Sequence, residues 1–281
     1  MKLFRSFLAA ALLAAFLTTP LIADDLKADE IFAKNLDSIA ARETRVGLTN
    51  LIARANGLFE TPGIRGGGGA VMASDSKDLL FMMSFNSPQY PFERIGWFDA
   101  KVDIPFPPGG KRGLLGSFVQ EHTGILDSGL FGGVMSARWA LYGDDPVKAL
   151  KARSSGKKKV GDRNCYVVTV VPKGGATQLT VKLYFDAENF QHLRTDYHLE
   201  VPAGNVTFGA QNQNANSVVE LVETFSDFRD VNGFKLPFIY KADFTANSNA
   251  TMARNTWTLN VIDYLINQKL KPDFFKFPPA A

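Results

Sequence analysis

The sequence predicts an α+β fold in which one helix precedes a single large antiparallel β-sheet. Three observations predict it. Apolar residues keep helical spacing early in the chain, apolar and polar residues alternate through much of the remainder, and short turn signals join the alternating runs. Parallel strands need a crossover of about a dozen residues, so short connections indicate an antiparallel meander. An open sheet of about ten strands must curl or close.

The helix is predicted over residues 26–42. Asp29 and Glu30 lie near its beginning, where the helix dipole favours acidic side chains. Helical spacing is kept by Ile31, Phe32, Leu36 and Ile39. Strict alternation, typical of a strand with one solvated face, is clearest over residues 178–185, 192–200, 234–244 and 256–261. Turn signals lie at residues 162–164, 173–175, 186–189 and 232–233. No linker divides the chain, so residues 24–281 are predicted to form one domain.

Residues 1–23 are predicted to be a secretory signal peptide. Lys2 and Arg5 precede an apolar run over residues 7–17, a Thr-Thr-Pro breaker follows, and Ala23 stands just before two aspartates. The run is shorter than the roughly 20 residues that cross a bilayer. The alternative, a first core helix, is disfavoured by these flanks. Cleavage after about Ala23 predicts a soluble periplasmic protein.

Charge and cysteine content narrow the class of protein further. The leader carries two of the basic residues, so its removal lowers the formal net charge from +3 to +1. A nearly neutral chain lacks the basic footprint of a nucleic-acid-binding protein. Cys165 is the only cysteine, which excludes an internal disulfide and, far from the cleavage point, a lipid anchor. It lies in an apolar strand and is predicted to be a small buried hydrophobe.

Residues 113–141 do not fit the meander. The segment is rich in apolar side chains and is punctuated by glycines. Its first apolar residues keep the rhythm of a short amphipathic helix. The simpler interpretation is fixed core, and the functional one is a movable lid over a ligand cavity. The candidate ligand-binding residues are Leu114, Leu115, Phe118, Val119, Leu126, Leu130, Phe131, Val134, Met135 and Trp139.

The sequence shows no recognisable catalytic or metal-binding motif. Of its three histidines, His192 and His198 are predicted to face solvent from one strand, about 20 Å apart, too far to share a metal. The glycine runs at 66–69 and 109–110 lack the Lys and Ser or Thr pattern of a phosphate loop. We therefore expect a binding protein without cofactor or metal rather than an enzyme. The basic run at 157–159 is most simply a solvated turn, with a membrane-surface role as the alternative.

Four blocks of sequence resemble the LolA/LolB superfamily of outer-membrane lipoprotein carriers, and in particular its uncharacterised members. They are Asp29-Glu30-Ile31-Phe32, residues 88–102, Tyr184-Phe185-Asp186-Ala187-Glu188 with its continuation 193–195, and residues 225–237. The last block, FSDFRDVNGFKLP, resembles the hairpin pattern D-(F/Y)-R-x-V-(N/D)-G-x-x-L-P. The resemblance implies a strongly curved, unclosed half-barrel sheet with an N-terminal helix and short helices covering the concave face.

The resemblance also implies a function. Such proteins accept acyl chains of a lipid or a lipoprotein in an apolar cavity, while some relatives recognise envelope proteins instead. Both remain open here, as carrier and as protein-recognition module. The classical carriers have an Arg-Pro dipeptide whose arginine holds the lid shut. Here Ser87-Pro88 takes its place, so that latch is missing, with Arg54 or Arg94 as possible substitutes.

Overall fold

The computed structural model describes residues 26–90, 92–105, 112–136, 138, 150–172, 178–202, 217–247 and 252–277. The predicted leader and its cleavage point lie outside these ranges. The helices are α1 (Ala28–Ile39), α2 (Arg42–Val46), α3 (Leu114–Glu121) and α4 (Gly124–Asp127), with one 3-10 turn at Gly133–Met135. The strands are β1 (Asn50–Thr61), β2 (Ile64–Asp75), β3 (Leu79–Phe85), β4 (Phe92–Phe98), β5 (Lys101–Asp103), β6 (Lys151–Val160), β7 (Arg163–Val171), β8 (Leu179–Asp186), β9 (His192–Val201), β10 (Ser217–Val231), β11 (Phe234–Asn247) and β12 (Met252–Ile266).

All twelve strands form one antiparallel sheet, in the order β5-β4-β3-β2-β1-β12-β11-β10-β9-β8-β7-β6. Two meanders, one on each side, are joined where β1 pairs with β12. The order ends at β5 and β6, so the sheet is unclosed. The predicted fold class, a single antiparallel sheet with an N-terminal helix and short covering helices, is confirmed.

The sheet is strongly curved. Phe81 of β3 and Tyr240 of β11 are four strands apart in the order, which is about 19 Å in a flat sheet. Their ring centroids are only 6.3 Å apart. The 3-10 turn also touches β1, β2, β9 and β11 together. The sheet therefore wraps around the residues on its concave side.

Local sequence explains the main elements. The concave side of β10 to β12 is built by alternate residues, and the Asn232-Gly233 turn has positive φ at both positions, as a two-residue hairpin of type I′ requires. The predicted 26–42 helix is divided, because the chain is extended at Ala40 between α1 and α2. None of the helices in the described ranges combines the length and apolar character needed to cross a membrane.

Apolar clusters lie on both sides of the sheet. The large one joins α1, residues 112–136 and the concave face of both meanders. A smaller one on the convex face is covered by the chain after β12, including Phe275. A third contains Cys165, which is buried as predicted. Burial raises the pKa of this thiol to about 11, so it keeps its proton at neutral pH.

The prediction that His192 faces solvent is wrong. Its side chain is buried between the rings of Phe185 and Phe225, with centroids 5.2 and 5.0 Å away. A β-bulge with Leu193 as the extra residue reverses the face to which the preceding residue points. Burial lowers the pKa of His192 to about 4. His198 remains at the surface, beside two glutamates.

Candidate functional site

The covering segment, defined here as residues 112–136, lies against the concave face of the sheet. Its α3 helix packs on β4, and its 3-10 turn lies deeper between the two meanders. Gly116 of α3 approaches β4 so closely that a Cβ at this position would lie 2.5 Å from a Glu93 carboxylate oxygen. A glycine is therefore required for this contact between helix and sheet.

The structure brings most of the candidate ligand-binding residues together. Eight of them are buried, with at most 3% of each side chain exposed: Leu115, Phe118, Val119, Leu126, Leu130, Phe131, Val134 and Met135. Leu114 is half-buried at the edge of the cluster. Trp139 lies outside the described residues. In this arrangement the segment occupies the concave side as close-packed core.

Aromatic contacts anchor the segment on both meanders. The Phe118 ring meets Tyr197 and Phe244 edge-on, at centroid distances of 6.4 and 5.9 Å. The Phe131 ring meets Phe81 at 5.5 Å. Since β3 and β9 belong to different meanders, the segment ties the two halves of the sheet together through its apolar side chains.

A buried carboxyl group, Glu223 of β10, binds the covering segment at its centre. Its Oε1 accepts hydrogen bonds from the Gly132 amide and the Tyr240 hydroxyl, both at 2.8 Å. Its Oε2 lies 2.8 Å from the Tyr197 hydroxyl, which is also 2.9 Å from the Leu130 carbonyl oxygen. Burial raises the pKa of Glu223 to about 7, although all three hydrogen bonds oppose the shift.

The protonation state of Glu223 decides which of these bonds can form. A hydroxyl has one proton, so Tyr197 donates either to Glu223 or to Leu130, but not to both. A protonated Glu223 can donate to Tyr197, which leaves the tyrosine proton free for the Leu130 carbonyl of the covering segment. When Glu223 is ionised, the tyrosine proton turns to the carboxylate and this tie to the segment is lost. Burial raises the pKa of Tyr197 well above its ordinary value, so the hydroxyl keeps its proton.

A second buried carboxyl group, Glu93 of β4, binds the beginning of α3. Its Oε2 accepts from the Tyr90 hydroxyl and, at 3.3 Å, from the Gly116 amide. Burial raises the pKa of Glu93 to about 7, against the lowering effect of Tyr90, Gly116 and the Arg112 charge. Two carboxyl groups on different meanders thus contact the backbone of the covering segment.

The α4 helix of the covering segment is fastened by an arginine that follows the segment in sequence. Arg138 donates to the carbonyl oxygens of Leu126 and Asp127 and to that of Lys77 in the β2–β3 turn. Its guanidinium also lies 5.1 Å from the Trp97 ring centroid. A cleft of about 690 Å³ opens here, beside Asp78, Asp127 and Arg138.

The two arginines that the sequence offered as a substitute latch lie elsewhere. Arg54 pairs with Asp263 on the convex face. Arg94 stacks over Phe92 and Phe277, also on that face. The carboxyl groups that contact the covering segment are those of Glu93 and Glu223, which the sequence pattern did not single out. The available signal was a glutamate at a core-facing position of an otherwise apolar strand face.

The described ranges contain no group of three or more His, Cys, Asp or Glu side chains placed to hold a metal ion. What the described residues bring together here is an apolar packing surface around two buried carboxyl groups, Glu93 and Glu223, whose pKa burial raises to about 7.

Comparison with known proteins finds similarity in the fold alone. No family model matches the sequence, and no curated protein matches it. Among solved structures, a LolA superfamily protein of Nitrosomonas europaea matches with 10% identity and a TM-score of 0.45, over 90% of this chain and 98% of that one. The chain resembles the LolA superfamily.

Two further structures match over most of their length. A DUF1329 family protein of Desulfovibrio piger has 10% identity and a TM-score of 0.45, over 88% of this chain and 96% of that one. The Mycobacterium tuberculosis lipoprotein LppX has 8% identity and a TM-score of 0.23, over 86% of this chain and 97% of that one. Because these identities do not exceed 10% and the TM-scores are below 0.5, the comparisons identify no ligand or partner for this chain.

Proposed function

We propose that this chain is an exported envelope protein, without catalytic activity, whose concave face binds the acyl chains of a lipid or a lipoprotein. In this proposal residues 1–23 are removed on export to the periplasm. The observation that carries it is the covering segment, which fills the concave side of an unclosed sheet with apolar side chains. An acyl chain would take the volume that those side chains occupy.

The energetics support a ligand that takes the place of the covering segment on the concave face. Each methylene group that leaves water gains about 0.8 kcal/mol, so a long acyl chain can offset the exposure of several displaced side chains. Among the described residues, the polar ties to be broken include the Glu93 and Glu223 contacts, the Tyr197 bond to Leu130, the Ser74 bond to Met135 and the Arg138 bonds. We propose the cleft beside Arg138 as the place where an acyl chain would enter.

The test is native mass spectrometry with lipid extraction on protein expressed with its own leader. We expect a co-purifying acyl-chain species on the wild type. Phe118→Asp places a charge among the apolar side chains and should abolish that species. The control is Val46→Asp, which adds the same charge at a side chain that is 69% exposed and should retain it.

A second substitution guards against misfolding of the charged variant. Leu115→Trp adds apolar bulk beside Phe118 without a charge and should weaken binding of a fluorescent fatty acid while the far-ultraviolet circular dichroism stays native. A lipid-free wild type that also fails to bind the fluorescent fatty acid contradicts the proposal.

The second candidate is a protein-recognition module on the same scaffold. The observation that favours it is the close packing of the eight buried residues of the covering segment, which leaves the exposed surface to carry function. Affinity capture from envelope extracts separates the candidates. A stoichiometric protein partner that is retained by Phe118→Asp supports recognition, whereas lipid without protein supports the carrier.

A further inference from the structure

One edge of the sheet carries a concentration of positive charge. Among the strands of the described ranges, β6 lies at the end of the strand order and pairs only with β7. Its sequence, KARSSGKKKV, contains five basic residues and no acidic one. All five are exposed: Lys151, Arg153, Lys157, Lys158 and Lys159.

A stacked aromatic pair extends this charge onto α1. The rings of Tyr166 and Phe190 lie parallel, with centroids 5.5 Å apart. The Lys157 ammonium is 4.6 Å from the Tyr166 centroid, and the Lys34 ammonium of α1 is 5.1 Å from the Phe190 centroid. Two exposed ammonium groups from separate elements therefore flank one half-buried aromatic pair.

Neighbouring acidic groups leave much of this charge uncompensated. Asp186 is paired with Arg163 at 2.6 Å, and Asp37 lies 3.5 Å from Arg45. Asp162 and Glu188 lie in adjacent turns. Among the residues that the structure describes, neither Lys34 nor Lys157 has a carboxylate within ion-pair distance.

The backbone of β6 is poorly suited to pairing with an added strand. The register with β7 shifts between Ser154 and Lys157, and Gly156 has a φ of +79°. A bulge of this kind interrupts the hydrogen-bond ladder, and lysines along an edge oppose strand addition. A planar array of anions is a better partner for this edge, because it is attracted by the positive charge and does not have to match the backbone hydrogen bonds of β6. Aromatic side chains next to lysines are also favoured at a lipid–water interface.

We propose that the β6 edge, together with Lys34, docks on the phosphate headgroups of an anionic lipid surface. This goes beyond the acyl-chain proposal and does not depend on it. The docking would bring the outside of the protein to a bilayer whether or not the concave face holds a ligand.

The test is co-sedimentation of the lipid-free mature chain with vesicles of mixed phosphatidylglycerol and phosphatidylcholine, and with phosphatidylcholine alone. We expect binding to the anionic vesicles only, weakened by salt because exposed charges are screened. Replacing Lys157, Lys158 and Lys159 by Gln should lower the partition constant by roughly 100-fold.

The matched control removes the same charge elsewhere. Lys101, Lys269 and Lys271 are exposed and lie away from β6, and their replacement by Gln should change the partition constant less than tenfold. Equal loss in both triple variants would overturn the proposal, since net charge alone would then explain binding. Absence of vesicle binding combined with binding to poly-glutamate would also overturn it, in favour of an acidic protein partner. Lipid transfer plays no part in the assay, so failure of the acyl-chain proposal leaves the result interpretable.

Discussion

Buried carboxyl groups that bind the covering segment make the stability of the protein depend on pH. Glu223 is buried, and its pKa of about 7 lies well above the ordinary 4.5. Between these values the folded protein holds a proton that the unfolded chain has lost. The free energy of unfolding contributed by Glu223 therefore falls as pH rises through this window. Glu93 acts in the same direction, whereas buried His192, with its pKa lowered to about 4, acts in the opposite direction.

Comparing the Glu223→Gln variant with the wild type isolates the effect of Glu223 on the pH dependence of stability, because both proteins contain the other titrating residues. The amide can donate to Tyr197 and accept from Gly132, as the protonated carboxyl does. Relative to the wild type, we expect the variant to gain on the order of 3 kcal/mol of unfolding free energy between pH 4.5 and 7. Urea titrations at several pH values measure it. Glu220→Gln, at the exposed face of the same strand, is the control. A difference that stays constant with pH would refute the assigned role of the Glu223 proton.

Sequence reasoning fails at this scale for identifiable physical reasons. Alternation places Glu223 on the face of Leu221 and Phe225, but it does not reveal the tyrosines and the amide that bind it, since these come from distant parts of the chain. The prediction for His192 fails because one bulge residue inverts the face to which it points. No rule of composition shows where a bulge will lie. Burial of Cys165 was predictable because its strand is apolar throughout.

At the scale of elements, glycines set the path of the covering segment. Gly132 and Gly133 both have positive φ, and the 3-10 turn that follows brings Met135 under the sheet. A Cβ on Gly133 would lie 2.5 Å from the Phe225 ring. The sequence predicted that glycines would punctuate this segment and that its first helix would be amphipathic. It left open whether the segment is core or lid, because pattern alone does not measure how firmly an element is held.

Gly133→Ala should loosen the covering segment. It adds the strain of an alanine at positive φ, about 1–2 kcal/mol, and a clash with Phe225. Gly161→Ala is the matched control, because its φ is +57° and its Cβ would meet nothing within 4 Å. We expect Gly133→Ala to lower the unfolding free energy by more than the control does. It should also speed amide hydrogen exchange in residues 124–136. Equal effects would mean that the turn is not packed against β10.

At the scale of the molecule, a single apolar cluster holds both meanders. It contains Phe81 from one meander and Leu183 from the other, with Phe131 of the covering segment also among its members. The sequence predicted a single antiparallel sheet from alternation and short turns, both of which are local signals. The pairing of β1 with β12 could not be predicted in that way, because it joins strands separated by most of the chain.

We therefore propose that residues 24–281 unfold as one cooperative domain. Urea denaturation followed by far-ultraviolet circular dichroism and by hydrogen exchange in β3 and β8 should give the same midpoint. Trp257→Ala, at a fully buried residue of β12, should lower the midpoint in β3 and β8 alike, with a cost of about 3–5 kcal/mol. Separate transitions for the two strands would contradict a single domain.

The pairing of β1 with β12 has a consequence for biosynthesis. Strand β1 emerges early, yet one of its two neighbours is the last strand of the sheet to leave the ribosome. At roughly 5–20 residues per second, the interval lasts on the order of ten seconds or more. Throughout it, the amides and carbonyls on one side of β1 lack their native partner strand. Topology thus delays the native state of the nascent chain, which leaves time for chaperones to bind it and, if the chain is exported as proposed, for a translocation channel to accept it.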